Sequence, residues 1–469
     1  MRTDRSFDVV ILGSGSSAFA AAIKATELGA RVAMTEAGLI GGTCVNVGCI
    51  PSKTLIQAAE LSYAPVHTAY RGLGVPQGRV DLAALVRQKD RLVRRLRQHK
   101  YLEVAEGNDQ ITRLKGRARL VSQNHVRVGD RVVKGRWMLI ATGSRPCIPS
   151  IPGLETVRYL TSTDALALTT RPRSMVVIGG GFIALELGQM FHRFGTKVTI
   201  VERGPRVLKA FDDEIAESIQ AILREEGLAI ATQTRVNGVR RVGKHIAVDV
   251  TRHGRAKRLK AEHLLIACGR TPNSDGIGLE HAGIAVDAQG FIQVNDELRT
   301  TVESIWAAGD VTGPPLATPV GAREGVLAAE NMFKGAKRTM DYTAIPRAVF
   351  TDPEVAAVGM STAEARAQGL QVEADCLDLI HVPKAAAIYQ TKGLVKMVIE
   401  RGTKRIVGMQ LVASRGADII HEATLAVRHR FTIHDLIRTI HVYPTMSEAI
   451  RMAAQMFIKD VSRLSCCAE

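Results

Sequence analysis

Phe7-Asp-Val-Val-Ile-Leu12-Gly13-Ser-Gly15-Ser-Ser-Ala18 is the stretch that decides the fold. A β-rich apolar run stops at a glycine pair, Ala18 to Gly29 has helical composition, and Arg31 to Thr35 reads as a second strand closed by Glu36. This is the βαβ dinucleotide-binding order. Gly13 makes the tight turn, Gly15 lets the backbone approach a pyrophosphate at a helix N-terminus, Ala18 permits close packing, and Glu36 offers a carboxylate to ribose hydroxyls. One such match is a weak signal, but the chain repeats it. Met175 to Ile178 leads into Gly179-Gly-Gly181-Phe182-Ile-Ala184, then a helix to Gly195, then Lys197 to Val201 closed by Glu202. The turn glycines (13 and 179) and the acidic ends (36 and 202) are both 166 residues apart, so the second unit copies the first in its internal spacing. Each unit also has a later strand ending in a glycine corner, Met138 to Gly143 and Leu264 to Gly269, which places Thr142, Gly143 and Gly269 among the expected nucleotide-binding residues. Cys268, beside the second corner, reads as a small buried strand residue.

At 469 residues the chain is too long for one core, and a prior of about one domain per 150 residues suggests three. No apolar run reaches the roughly 18 residues that a membrane span needs. Phe7 to Leu12 runs straight into Gly13 and so does not form a secretory core, which makes the cytoplasm the expected compartment. Seven cysteines, an odd number thinly spread, do not suit a disulfide framework. Cys147 and Cys376 stand singly, without zinc-like spacing, and are expected to be structural. The net charge of +16 is densest from Arg87 to Lys100, where Leu85, Leu92, Val93 and Leu96 recur at helical spacing. No aromatic residue interleaves with those charges, so a solvated helix face is expected there and no nucleic-acid partner.

The chemistry concentrates in Gly41-Gly42-Thr43-Cys44-Val-Asn-Val-Gly-Cys49-Ile-Pro-Ser-Lys53. Cys44 and Cys49 are separated by roughly one helical turn, so their sulfurs can meet and form a disulfide. Together with Ile305-Trp-Ala-Ala-Gly309-Asp310 and the two glycine-rich units, this motif resembles the pyridine nucleotide-disulfide oxidoreductase flavoproteins over essentially the whole chain. The resemblance implies an α/β chain with two Rossmann-like dinucleotide-binding domains and a C-terminal α+β dimerisation domain, glutathione reductase-like in arrangement. Its FAD-binding parts would be residues 1–155 and 276–338, its NAD(P)H-binding domain 156–275, and its dimerisation domain with the C-terminal tail 339–469. It implies FAD on the first unit, with Gly42 and Thr43 beside it, Asp310 on the ribityl chain, and Lys53 near the flavin and paired with Glu186. A cation there suits the anion that hydride arrival creates.

The choice of nicotinamide rests on neighbouring residues. Glu202 is similar to the ribose-binding carboxylate of NAD users, whereas Arg203, Arg206 and Lys209 follow at spacings similar to those that grip the 2′-phosphate of NADPH. Three cations against one carboxylate favour NADPH, with NADH as the alternative. Phe182 would gate the nicotinamide pocket by packing.

From Asp341 onward no phosphate loop recurs. Disulfide reductases of the resembled family carry, across the dimer, a His before Pro-Thr that serves as acid and base. Here the segment is His441-Val-Tyr443-Pro444-Thr445-Met-Ser-Glu448, with Tyr443 at that place. A tyrosine with a pKa near 10 is a poor base, although it can hydrogen-bond beside a metal thiolate. His441 matches an additional His of such reductases and is not assigned the missing role. The chain closes with Ser465-Cys466-Cys467-Ala468-Glu469, and two adjacent thiolates make a soft ligand pair for a thiophilic metal ion.

Both features narrow the resemblance to the mercuric reductase branch, in a form without an N-terminal heavy-metal-binding module. That branch implies a homodimer with a shared active site. Hg(II) would arrive as a dithiol complex at the partner's Cys466 and Cys467 and pass to Cys44 and Cys49. There it would be reduced to Hg(0) at the expense of NADPH, with Cys44 the outer exchanging thiol and Cys49 the one against the flavin. The rivals are an ordinary disulfide reductase or dihydrolipoyl dehydrogenase, and a flavoprotein that sequesters Hg(II) without turnover.

Overall fold

The computed structural model describes residues 3–73 and 78–461, with side chains from residue 6 onward. The chain divides into two compact units. The first holds the described residues up to Thr54, Ala83–Cys147 and Gly269–Met340; the second holds Leu55–Leu82, Ile148–Cys268 and the described residues from Asp341 on.

The first unit is built on a sheet of parallel strands in the order 111–115, 32–36, 3–12 and 131–140. Strand 305–307 joins 131–140 in parallel, and antiparallel strands 125–128 and 118–122 extend it. Leu12 stands opposite both Thr35 and Ile140, so three strands end level, immediately before the Gly13 turn. Val9 to Leu12 are at most 1% exposed, which is why this run is continuously apolar instead of alternating. Helix Ser16–Glu27 covers one face with Ala18, Ala21, Ala22 and Ala25 and shares that core with Leu327 and Ala328 of helix Thr318–Lys334. Alanine on the packed face lets the two helices and the sheet approach closely without a side-chain entropy cost. Trp306 meets Trp137 edge-to-face at 5.3 Å in the same layer.

In the second unit, strands 229–231, 197–201, 174–178 and 263–266 form a parallel sheet, and 234–242, 245–252 and 255–261 form an antiparallel one. The chain from Asp341 builds an antiparallel sheet in the order 347–349, 354–359, 406–413, 394–400 and 372–378. Helices Gly416–Arg428, Ile433–Arg438 and Glu448–Gln455 pack on it. Two parallel dinucleotide-type sheets and a later α+β sheet are the architecture expected from the sequence.

Two expectations fail locally. Cys268 is exposed, because its strand ends at Ile266; the thiol lies in the following turn and donates to the Ile178 carbonyl at 3.4 Å. The basic helix runs Leu82–Arg97 and exposes Arg87, Arg91, Arg94 and Arg95, but Lys89 is buried beside Asp90 at 2.7 Å and is not part of the solvated face. No helix among the described residues is long and apolar enough to cross a membrane.

Candidate active site

Cys44 and Cys49 do not share one helix. Cys44 lies in the first turn of Gly42–Val47, and Cys49 opens Cys49–Tyr63. Both thiols therefore sit at helix N-termini, where unpaired N–H groups and the dipole favour a thiolate. Gly42 makes this possible: its φ is +67°, and a Cβ there would lie 2.7 Å from the Cα of Gly15. The dithiol helix thus starts in backbone contact with the phosphate-type loop. Asn46, inside the motif, donates to the Ile40 and Gly42 carbonyls at 2.9 Å each and accepts from Arg97 at 3.0 Å.

Both cysteines are unbridged and their thiols are hydrogen-bonded to one another. The Cys44 S–H donated to Cys49 brings Cys49 down to about 6, helped by the Thr318 hydroxyl and the Lys53 charge and opposed by burial. The same bond, with burial and the charge on Cys49, pushes Cys44 well above the usual thiol range. The pair therefore favours the proton on Cys44 and the negative charge on Cys49. Thr318 Oγ1 is 3.8 Å from Cys49 Sγ and is the first residue of helix Thr318–Lys334, so a third helix N-terminus faces the thiolate.

A cavity of about 420 Å³ opens beside the pair within the first unit, lined by Gly13, Gly15, Glu36, Thr43, Cys44 and Asp310 among others. Gly13 (φ +125°) could carry no side chain, since a Cβ would stand 2.2 Å from the Ala141 carbonyl oxygen. Oε1 of Glu36 is buried without a partner among the described residues at the end of its strand, which is the acceptor a ribose hydroxyl requires. Thr142 donates to the Asn273 carbonyl at 2.8 Å, Asn273 donates back at 2.9 Å, and the Asn273 N–H closes on the carbonyl of Gly143. Asp310 accepts from Ser144 Oγ at 2.5 Å, and Arg270 donates to that same hydroxyl at 2.6 Å. Gly269 lies in this first unit, where its carbonyl accepts from Cys147 N ahead of the 144–146/270–272 ribbon. The cavity fits a dinucleotide by its glycine cradle and its unsatisfied ribose carboxylate.

The second unit repeats the turn. A Cβ at Gly179 (φ +116°) would lie 2.3 Å from the Ala267 carbonyl oxygen, Gly181 caps helix Phe182–Arg193, and Ala184 is fully buried. The Phe182 ring packs 5.7 Å from that of Phe211. Glu186 is 6% exposed and accepts from Phe350 N at 3.0 Å. Glu202 accepts from Gly204 N at 2.6 Å; Arg203 and Lys209 are exposed, whereas Arg206 is ion-paired to Asp213 at 2.7 Å. Further on, Tyr443 is exposed. Glu448 is buried and accepts from Thr445 N at 3.3 Å, and His441 is engaged by the Glu422 carboxylate at 2.7 Å and the Thr439 carbonyl at 2.9 Å. Cys466 and Cys467 lie outside the described residues. Among the described residues no group of three His, Cys, Asp or Glu side chains could hold a metal ion.

Comparison with known proteins matches residues 7–328 to the pyridine nucleotide-disulphide oxidoreductases and residues 345–454 to the dimerisation domain of the same enzymes. The chain belongs to the pyridine nucleotide-disulphide oxidoreductase family. Mercuric reductase of Staphylococcus aureus is 42% identical over 467 residues, covering 99% of this chain and 85% of that protein. Mercuric reductase of Streptomyces lividans is 42% identical over 469 residues, covering 98% of each. Among solved structures, the HOCl-induced flavoprotein disulfide reductase RclA from Escherichia coli, in its Cu(II) complex, has a TM-score of 0.87 at 29% identity, covering 97% of this chain and all of that one. Family membership implies a flavin and a pyridine nucleotide, and the dimerisation domain supports homo-oligomerisation.

Residues that the sequence did not single out complete this family site: Thr318 at the thiolate, Ser144 and Arg270 around Asp310, Asn273 at Thr142, and Asn46 in the Cys44 helix. Only Asn46 lay within a recognised motif. The others come from segments more than 100 residues from their partners, and no local pattern marks them.

Proposed function

We propose that this family member reduces Hg(II) to Hg(0) with electrons from NADPH, using FAD in the first-unit cavity and Cys44 and Cys49 as the metal-binding dithiol. Bound FAD supplies the two-electron relay between the nicotinamide and the sulfur pair. The observation that carries the reading is the dithiol itself, Cys44 and Cys49 at the starts of two successive helices beside the first-unit cavity, with their thiols hydrogen-bonded to one another.

Hg(II) is a soft ion that two thiolates bind well, and mercuric reductases are relatives over nearly the full chain. The outer Cys44 thiol attacks an Hg(II)–dithiol complex first, and its proton leaves with one donor sulfur. The Cys49 thiolate then replaces the second donor sulfur, which leaves as a thiolate. Each step exchanges one thiolate for another, so the metal is not released to water. Lys53 balances the charge beside Cys49. Glu36 and Asp310 would hold the ribose and ribityl hydroxyls of FAD, and the Gly179–Ala184 turn would hold the nicotinamide coenzyme. In a homodimer the partner subunit's Tyr443 would meet the metal as a hydrogen-bond donor, and the partner's Cys466 and Cys467 would deliver it.

Disulfide reduction is the second reading, favoured by the likeness to RclA. The discriminating experiment offers the holoenzyme Hg(II)–dithiol complexes and small disulfides in parallel, as wild type and as Cys466→Ala/Cys467→Ala. Hg(II)-dependent NADPH oxidation well above disulfide turnover, lowered at least tenfold by the double substitution, is expected. Disulfide turnover exceeding Hg(II) turnover would replace the reading with its rival, and an unaffected double variant would remove the tail's role.

A further inference from the structure

The loop after Glu202 carries an arrangement that bears on which coenzyme the second unit accepts. The loop folds back over the glycine turn, with Leu208 N donating to the Gly180 carbonyl at 2.9 Å. Glu202 points the same way: a Cβ at Gly180 would sit 2.8 Å from Glu202 Oε2, and Oε1 accepts from Gly204 N at 2.6 Å. Its carboxylate is thereby fixed at the end of the second strand, where ribose hydroxyls are read and where a 2′-phosphate would meet a like charge.

Arg206 is the half-buried cation of that loop. Nη1 is bound to Asp213 Oδ1 at 2.7 Å, Nη2 donates to the Phe211 carbonyl at 3.3 Å, and the buried Nε has no acceptor among the described residues. Asp213 opens helix Asp213–Glu225. That helix start is anchored by Asp212, whose carboxylate binds Lys396 at 2.7 Å and the Thr362 hydroxyl at 2.8 Å. Arg206 is therefore ion-paired to a carboxylate carried on an anchored helix start, with the Asp213 side chain itself largely exposed. A guanidinium so committed does not present its fork to a phosphate without giving up a charge-assisted bond.

We infer that Asp213 is a positioning residue for coenzyme choice: by holding Arg206, it lowers the preference for a 2′-phosphorylated nucleotide and lets the unphosphorylated one compete. The inference rests on the reading that the Gly179–Ala184 turn takes a pyridine nucleotide. Arg203 and Lys209, both exposed and without an ion-pair partner among the described residues, remain to attract the 2′-phosphate. Asp213 thus tunes the balance between the two coenzymes and does not by itself set which is used.

The test measures calorimetric binding of NADP⁺ and NAD⁺ to the FAD-loaded protein, with kcat/KM for flavin reduction by NADPH and NADH as a second readout and no mercury present. Asp213→Asn should improve the NADP⁺/NAD⁺ affinity ratio about fivefold, the worth of one partly exposed ion pair, with NAD⁺ affinity unchanged. Adding Arg206→Gln to that variant should abolish the gain, since Asp213 acts through Arg206. An unchanged ratio in Asp213→Asn, or a gain that survives Arg206→Gln, overturns the inference. Failure of wild type and variants to bind either nucleotide would overturn the underlying reading of the Gly179–Ala184 turn, and the inference with it.

Discussion

Cys49 and Cys44 share one proton, and the asymmetry comes from their surroundings. The Cys44 S–H, the Thr318 hydroxyl and Lys53 all favour charge on Cys49, and together they outweigh its burial. Its folded value, about 6, lies below that of an unfolded thiol, so the stabilisation it provides is present above the unfolded value and is lost as pH falls through 6. Reactivity follows the same window. Alkylation of the reduced dithiol by iodoacetamide should fall as pH drops through about 6, and Thr318→Val should shift that midpoint upward. A midpoint unmoved by Thr318→Val would remove the hydroxyl from the account. At this scale the sequence marked both cysteines and Lys53, because they share one motif, but Thr318 was invisible, being 269 residues from Cys49. Cys268 was misplaced because strand composition continues past the last ladder residue, Ile266.

Helix Phe182–Arg193 shows what an element adds to its sequence pattern. Glu186, Gln189 and Arg193 share one face and together hold residues 350–352. Phe350 N donates to Glu186, Asp352 N donates to Gln189 at 2.9 Å, and Arg193 binds the Asp352 carboxylate and Glu226, each at 2.8 Å. Arg193 and Glu226 are both under 10% exposed, and the guanidinium also lies 4.7 Å over the Tyr63 ring. Arg193→Met would strand Glu226 as an uncompensated buried charge, at a cost of about 3–5 kcal/mol. The urea midpoint of the holoenzyme should fall accordingly, and a midpoint within error of wild type would contradict the buried-pair assignment. The glycine turn at this helix's start was legible because backbone geometry demands particular residues at fixed spacing. The network on its far face was not, since Arg193 alone resembles any helix-terminal arginine.

At the scale of the whole molecule, the segment bearing Tyr443 exposes Ile440 at 93% and Val442 at 78%, within the region matched to the dimerisation domain. So much apolar surface on one short segment is what a partner copy would cover. Ile440→Asp should shift the protein towards monomer in sedimentation equilibrium and lower Hg(II)-dependent turnover, whereas an intact dimer would place the interface elsewhere. The two nucleotide units and the later α+β sheet were readable from glycine spacing and strand runs. The pairing order of strands 347–413 was not, because antiparallel register depends on which apolar faces meet across long loops.

On the proposed reading, a family member with this dithiol delivers its electrons to mercury. The most direct measurement counts elemental mercury released against NADPH consumed by the FAD-loaded enzyme given an Hg(II)–dithiol complex, with Cys44→Ser/Cys49→Ser as control. One Hg(0) per NADPH in wild type and none in the control is the predicted result. NADPH oxidised without mercury release, or mercury released equally by the control, would contradict it.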